Sequence, residues 1–386
     1  MNNFNFYNPT QIVFGRDRLE ELDSLIPSDA IVMITYGGNS AKKFGTIDKV
    51  MTSLGDRETI EFGGIEANPE YETLVSAVEI VKAKGVTFLL AVGGGSVMDG
   101  TKFIALASKL EPENYEGLLF NGFSPAKQDE ALPLGCVVTL PATGSEMNAG
   151  SVITYKSQKY PVMSPLVFPK FSFLDSILTN TLPQEQVANG VADAFIHVME
   201  QYLTFPEGAK IQDRFAEGIL STLIEDGPTT YSDYTDVQAR ENFIWSATMA
   251  LNGIIGVGVA QDWSTHMIGH ELTSMFGIAH GRTLAIIFPS MLRNRKEQKR
   301  EKILQYAERV WGLKEGPEDE RIELAIDKTE KFFNSIGIVT KLSSYEIEKD
   351  QLDTVVGNME KMGLTQLSER GDLGLSDVRE ILEQAY

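Results

Sequence analysis

Cysteine is almost missing from this chain: Cys136 is the only one in 386 residues. A lone thiol rules out an internal disulfide framework and suits a reducing cytoplasm. Basic residues are scarce beside acidic ones, 34 Lys and Arg against 54 Asp and Glu, for a formal net charge of -20. That deficit argues against sequence-independent nucleic-acid binding, which needs clustered cations. No apolar run reaches the roughly 20 residues that span a bilayer, so no membrane partner is expected. The opening "MNNFNFYNPTQIVFG" lacks the basic segment and apolar stretch of a signal peptide and is expected to belong to the fold. Low-complexity segments and internal repeats are absent as well. Histidine is scarce too: there are four, and His266, His270 and His280 crowd into "THMIGHELTSMFGIAH".

What is present is an ordinary globular composition, 42% hydrophobic and 23% charged, in a chain long enough for two or so domains. Through about residue 180, short apolar runs alternate with amphipathic stretches. "AIVMITY" (Ala30–Tyr36), "ETIEF" (Glu58–Phe62), "VTFLLAV" (Val86–Val92) and the start of "GCVVTLPATGSE" read as strands, and Glu70–Lys84 as a helix. Strand, Gly-rich turn and helix in repetition argue for a parallel sheet with helices on its faces. After "LTNTLP" the strand signal fades and helix follows helix to Tyr386. The expected division is an α/β domain over residues 1–182 and an all-helical domain over 183–386. Clefts between such domains are common ligand sites.

Two turns suit phosphate. In "VTFLLAVGGGSVMDGTK", Gly93, Gly94 and Gly95 permit close backbone approach and unusual φ values, and the following helix directs its N–H groups at an anion. Ser96 and Asp99 resemble a capping pair, with Asp in place of Glu. The motif is neither G-x-G-x-x-G nor a P-loop, and a plain strand-to-helix connection is the competing reading. In "TYGGNSAKKFG", Gly37, Gly38, Asn39 and Ser40 follow a strand, with Lys42 and Lys43 close by. No acid occurs between Tyr36 and Gly45, and an acid near the ribose is what favours NAD over NADP. Solvated surface lysines are the alternative there, for Lys42 above all.

The third signal is a metal constellation. Asp193 and His197 stand four residues apart in "GVADAFIHVMEQY", on one helix face with about 6 Å of rise between them. His266 and His270 repeat the spacing. His280 would lie roughly 21 Å from His266 along an unbroken helix, so both reach one ion only if the chain turns back, for which Gly277 supplies a break. Spacing permits Asp193 and His197 with two of the other three histidines. Such a nitrogen- and oxygen-rich set suits Fe²⁺ or Zn²⁺. Hydrogen-bonded core histidines are the alternative.

The succession "GGGSVMDGTK", "TLPATGSE", "LTNTLPQEQVANGVADAFIHVMEQY" and "HMIGHELTSMFGIAHG" resembles the iron-containing (group III) alcohol dehydrogenases over essentially the whole chain. The opening segment and "TYGGNSAKKFG" look most like the NADPH-dependent aldehyde reductase and butanol dehydrogenase branch. The resemblance implies a Rossmann-like dinucleotide-binding domain, then an all-α metal-binding domain, with the active site between them. It places Fe²⁺ or Zn²⁺ on Asp193, His197, His266 and His280, and leaves His270 facing nicotinamide and substrate. It assigns Gly94, Gly95 and Ser96 to the pyrophosphate with Asp99 beside them, and Thr139, Leu140 and Thr143 to the cofactor wall. Lys159 is expected at a ribose hydroxyl, and Gly38, Asn39, Ser40 and Lys43 around a 2′-phosphate. Asn39 departs from the Gly common at its position. The implied activity is hydride transfer between NADP(H) and short- to medium-chain aldehydes or primary alcohols, in a cytoplasmic homodimer.

His270, with an unperturbed pKa of about 6.5, is suited to relay the product's proton. Trp263 and Phe276 could wall an apolar pocket or simply pack between helices, and Cys136 reads as core. Three rivals remain: a glycerol dehydrogenase-like polyol oxidoreductase or dehydroquinate synthase relative of the same fold, a metallohydrolase, and a non-enzymatic metal carrier. The Gly-rich turns count against the hydrolase and against a non-enzymatic metal carrier, since neither needs a dinucleotide cradle.

Overall fold

A computed structural model describes every residue from Met1 to Tyr386. The chain divides into two compact units, Tyr7–Leu182, and Met1–Phe6 together with Pro183–Tyr386.

The first unit holds strands β1 (Gln11–Phe14), β2 (Val32–Tyr36), β3 (Thr59–Phe62), β4 (Phe88–Gly94), β5 (Leu134–Leu140), β6 (Gly150–Tyr155), β7 (Gln158–Met163) and β8 (Phe171–Leu174). Its helices are α1 (Leu22–Leu25), α2 (Ser40–Lys43), α3 (Thr46–Leu54), α4 (Tyr71–Lys84) and α5 (Gly95–Ala107). Six strands form one sheet in the order β1-β8-β5-β4-β2-β3, every neighbour parallel. The central strands β2 and β4 are buried along their lengths, which is why they read as unbroken apolar runs. Val32, Ile34, Leu90, Val92, Val137 and Phe173 form the core of one face. Strand order reverses between β2 and β4, since β3 lies outward of β2 and β5 lies on the other side of β4. Ligands of parallel sheets bind beyond the carboxyl ends of strands at such a switch point. The turns after β2 and β4 and the end of β5 are the segments singled out in the sequence, and three adjacent parallel strands carry them to one edge.

The second unit contains α6 (Gln184–Tyr202), α7 (Lys210–Ser232), α8 (Val237–Ala250), α9 (Ser264–Phe276), α10 (His280–Asn294), α11 (Arg300–Arg309), α12 (Glu318–Ser335), α13 (Gln351–Lys361) and α14 (Leu375–Ala385). It is helical apart from a two-residue antiparallel ladder, β9 (Gln366–Leu367) with β10 (Leu373–Gly374). Every residue of α6 from Gly190 to Tyr202 is buried, as befits a helix enclosed on all sides. Helix α9 ends at Gly277, whose φ of +67° is left-handed and whose N–H reaches Thr273 O at 3.0 Å. Helix α10 then begins at His280. Two glycines set how closely it packs. A Cβ on Gly269 would stand 2.9 Å from Leu284 Cδ2, and one on Gly281 would stand 2.2 Å from Asn189 O. The first turn of α10 therefore rests on the α6 backbone, one turn from Asp193. No helix is long and apolar enough to cross a membrane.

Candidate metal centre and cofactor cradle

Asp193, His197 and Glu200 lie along one stripe of α6, and each is buried to 5% exposure or less. Ionisable groups are expensive at such depth unless something compensates them. One ligand atom from each of Asp193, His266 and His280 lies within 4.8 Å of the others. Asp193 Oδ1 is 4.0 Å from His266 Nε2 and 3.7 Å from His280 Nε2, and it accepts no hydrogen bond. A buried carboxylate oxygen facing imidazole nitrogens, with no donor upon it, fits a divalent cation of the Fe²⁺ or Zn²⁺ type. His197 stands at the margin of this set, with Nδ1 3.8 Å from Asp193 Oδ1 and its ring stacked 4.7 Å from that of His266. The His270 ring lies 4.8 Å from that of His280 and 6.0 Å from that of His266. All four histidines thus gather in one place, and the turn at Gly277 is what returns His280 to α6.

Glu200 was not among the residues singled out from sequence. Its Oε1 accepts the backbone N–H groups of Thr265 at 2.7 Å and His266 at 3.2 Å, and its Oε2 lies against His266 Nδ1. Burial, reinforced by the neighbouring Asp262 carboxylate, pushes the Glu200 carboxyl well above the usual range, while the backbone donors and His197 pull it back. The signal was available: positions 193, 197 and 200 repeat at four and three, one helix face. Trp263 sits beside the cluster, its ring 5.2 Å from that of His266 and its Nε1 donating to Gln261 Oε1 at 3.0 Å. Phe276 packs instead against the apolar cluster of Ile268, Leu272 and Ile278. Cys136 is fully buried, and burial pushes its thiol up to about 12, so it is core.

At the sheet edge the glycines act differently from expectation. Gly93, Gly94 and Gly95 all keep negative φ, so no left-handed backbone is required of them. Proximity is what demands them. A Cβ on Gly95 would stand 2.5 Å from both Thr143 Oγ1 and Thr143 Cγ2, and one on Gly93 would stand 2.6 Å from Val97 Cγ2. The expected Ser96–Asp99 capping pair does not form either. The helix starts one residue earlier, at Gly95, so Ser96 lies inside its first turn and donates to Ala67 O. Asp99 turns away to accept from Ser145 Oγ at 2.6 Å and Val152 N–H at 2.9 Å. Beneath it, the fully buried Lys102 donates to Ser145 Oγ at 2.8 Å, Asn148 Oδ1 at 2.9 Å and Gly150 O at 2.8 Å. Burial raises the Asp99 carboxyl and lowers the Lys102 ammonium, and each opposes the other's shift. This network fastens α5 to the segment after β5, which carries Thr143 and continues directly from Thr139 and Leu140 at the end of that strand. Lys159 lies half-buried on β7, and its charge acts on Asp99. Gly38, Asn39, Ser40 and Lys43 are exposed after β2. Lys42 is not a bare surface lysine: it pairs with Glu61 at 2.7 Å, and Tyr36 Oη donates to the same carboxylate at 3.0 Å.

Family models agree with both units. Residues 9–176 match the iron-containing alcohol dehydrogenase model, and residues 187–386 match the C-terminal model of the Fe-containing alcohol dehydrogenase family. The chain belongs to the iron-containing alcohol dehydrogenase family. Among its relatives, NADPH-dependent aldehyde reductase YqhD of Escherichia coli is 52% identical over the full length of both chains. A probable NADH-dependent butanol dehydrogenase 1 of Bacillus subtilis is 40% identical over 92% of each. The crystal structure of E. coli K-12 YqhD superposes with a TM-score of 0.97 at 51% identity, over 100% of this chain and 99% of that one. Membership explains why an α/β unit and a helical unit recur together.

Proposed function

We propose that this iron-containing alcohol dehydrogenase reduces short- to medium-chain aldehydes with NADPH, and oxidises primary alcohols in reverse, at a divalent ion on Asp193, His197, His266 and His280. The observation that carries this is the buried Asp193 oxygen, without a hydrogen bond, at the centre of converging imidazoles. When bound, such an ion supplies Lewis acidity toward a carbonyl oxygen and NADPH supplies the hydride. The chain's own part is positioning and proton handling. The first turn of α5 presents N–H groups suited to pyrophosphate, and Gly94, Gly95, Ser96, Thr139, Leu140 and Thr143 keep that approach narrow. Gly38, Asn39, Ser40 and Lys43 favour a 2′-phosphate, helped by the engagement of Glu61 with Lys42 and Tyr36. His270, beside His280, relays a proton from water to the product oxygen. It takes a proton up on one ring nitrogen as it gives one from the other, with a ribose hydroxyl as the alternative relay.

The test is metal analysis of the purified protein with an aldehyde panel run against NADPH and NADH. Stoichiometric iron or zinc and faster butanal reduction with NADPH are expected. Oxidation of glycerol with NAD⁺ but indifference to butanal, or undiminished reduction after chelation, overturns the reading. It further includes a cytoplasmic homodimer, supported by the single buried thiol and by the family resemblance. Light scattering at twice 42.6 kDa checks the dimer.

A further inference from the structure

We propose that Glu200 is a positioning residue of the metal centre. One carboxylate caps helix α9 from outside and holds His266 with its proton on Nδ1, so that Nε2 is the atom turned to the ion. The proposal rests on the ligand reading above and concerns a residue that no part of that reading uses.

Helix α9 begins at Ser264, and the residue before it, Trp263, offers no side-chain cap. The first N–H groups of a helix need acceptors from elsewhere. Glu200 Oε1 takes two of them, those of Thr265 and His266, from the neighbouring α6. A carboxylate at that end is also favoured by the helix dipole. Its second oxygen meets Nδ1 of His266, a residue whose own backbone N–H the first oxygen holds. Two backbone donors on Oε1 favour the ionised carboxylate against the pull of burial. An imidazole nitrogen against a carboxylate is the donor, which leaves the lone pair on the other nitrogen. That other nitrogen, Nε2, is the one facing Asp193 Oδ1 at 4.0 Å. Backbone and side chain of His266 are thus fixed by a single group. Glu200 sits one turn beyond His197 and two beyond Asp193, so α6 provides both the anionic ligand and the buttress.

The nearby ammonium does not take Glu200 for itself. Lys299 Nζ is committed to Asp262 Oδ2 at 2.8 Å, Glu369 Oε2 at 3.0 Å and Leu203 O at 2.6 Å. Glu369 therefore makes a matched control. Its side chain is 2% exposed, against 4% for Glu200, and it belongs to the ammonium's network without touching a histidine.

The experiment compares the full-length protein with Glu200→Gln and Glu369→Gln. Each is stripped by chelation and titrated with Co²⁺ against a chromophoric competitor. The visible Co²⁺ bands, the thermal midpoint and NADPH affinity by fluorescence are recorded alongside. Glu200→Gln is expected to weaken Co²⁺ binding about 10- to 100-fold and shift the bands, with NADPH affinity unchanged. Glu369→Gln is expected to lower the thermal midpoint while Co²⁺ affinity stays within about threefold of the parent. The proposal is overturned if Glu200→Gln also stays within about threefold, or if Glu369→Gln weakens Co²⁺ just as much, which marks a general packing effect. Should Glu200→Gln not fold, Glu200→Asp, which keeps the charge and withdraws it from Nδ1, is held to the same limits. A parent protein that takes up no Co²⁺ removes the ligand assignment itself, a different failure from a variant that binds as the parent does.

Discussion

Asp193 carries an anionic oxygen into the middle of an enclosed helix and places it where no N–H or O–H reaches it. Leaving such a group unsatisfied costs about 1–3 kcal/mol or more, so on the proposed ligand set the metal-free protein bears a penalty that a bound cation would relieve. Asp193→Asn is therefore expected to abolish stoichiometric metal uptake, while the metal-free variant melts no lower than the metal-free parent. Metal analysis and calorimetry of the stripped proteins check both halves. His270 gives the opposite signature. It lies beside the cluster and is proposed to handle the proton, so His270→Ala is expected to keep the metal while turnover falls about 10²- to 10³-fold. Loss of metal from that variant would exchange the roles of His270 and another histidine.

Helix α5 and the strand it follows are matched by shape rather than by unusual torsions. Gly95→Ala drives a methyl into Thr143, 2.5 Å away, and moves the start of α5 off the segment after β5. Because small displacements in a binding frame are costly, the KM for NADPH is expected to rise at least about tenfold with metal content unchanged. Steady-state kinetics with paired metal analysis checks it. The same elements show what could be read beforehand. Strands β2 and β4 were legible because buried parallel strands are continuous apolar runs bounded by glycine. The β6–β7 hairpin was not, because its turn uses Lys156 and Ser157 at φ of +50° and +62° instead of the glycine or asparagine that announces such turns. Glu61 was not legible because it comes to Lys42 from β3, the next strand, and not from the loop after β2. The histidines were legible as a group, since four in a whole chain leave few alternatives. The choice among them was not, because spacing cannot say where the chain turns back. Glu200 went unread because a glutamate in a helix is ordinarily a solvated one.

At the scale of the helical unit, charge is collected indoors around Lys299. Burial opposes ionisation of Asp262, but Lys299 and Ser264 outweigh it and hold the carboxyl below its ordinary value. A carboxyl with a folded pKa below the unfolded one stabilises the fold above about pH 4, and that contribution is lost as pH falls through the folded value. Denaturant midpoints taken from pH 7 to pH 3 are expected to fall more steeply for the parent than for Asp262→Asn. The unit should also respond to its ligand as a whole. An ion at 1,000 times its dissociation constant contributes about 4 kcal/mol, so chelation is expected to lower the unfolding midpoint by several degrees, and Zn²⁺ to restore it.

The second unit also includes Met1–Phe6, where Asn2 N–H reaches Gly258 O at 2.8 Å. A polypeptide emerging from the ribosome must hold those first residues waiting until a partner more than two hundred positions later has been made. A gene fragment opening at Pro183 lacks a strip of its own wall, so the natural cut for an isolated helical piece is a fusion that restores the leading hexapeptide.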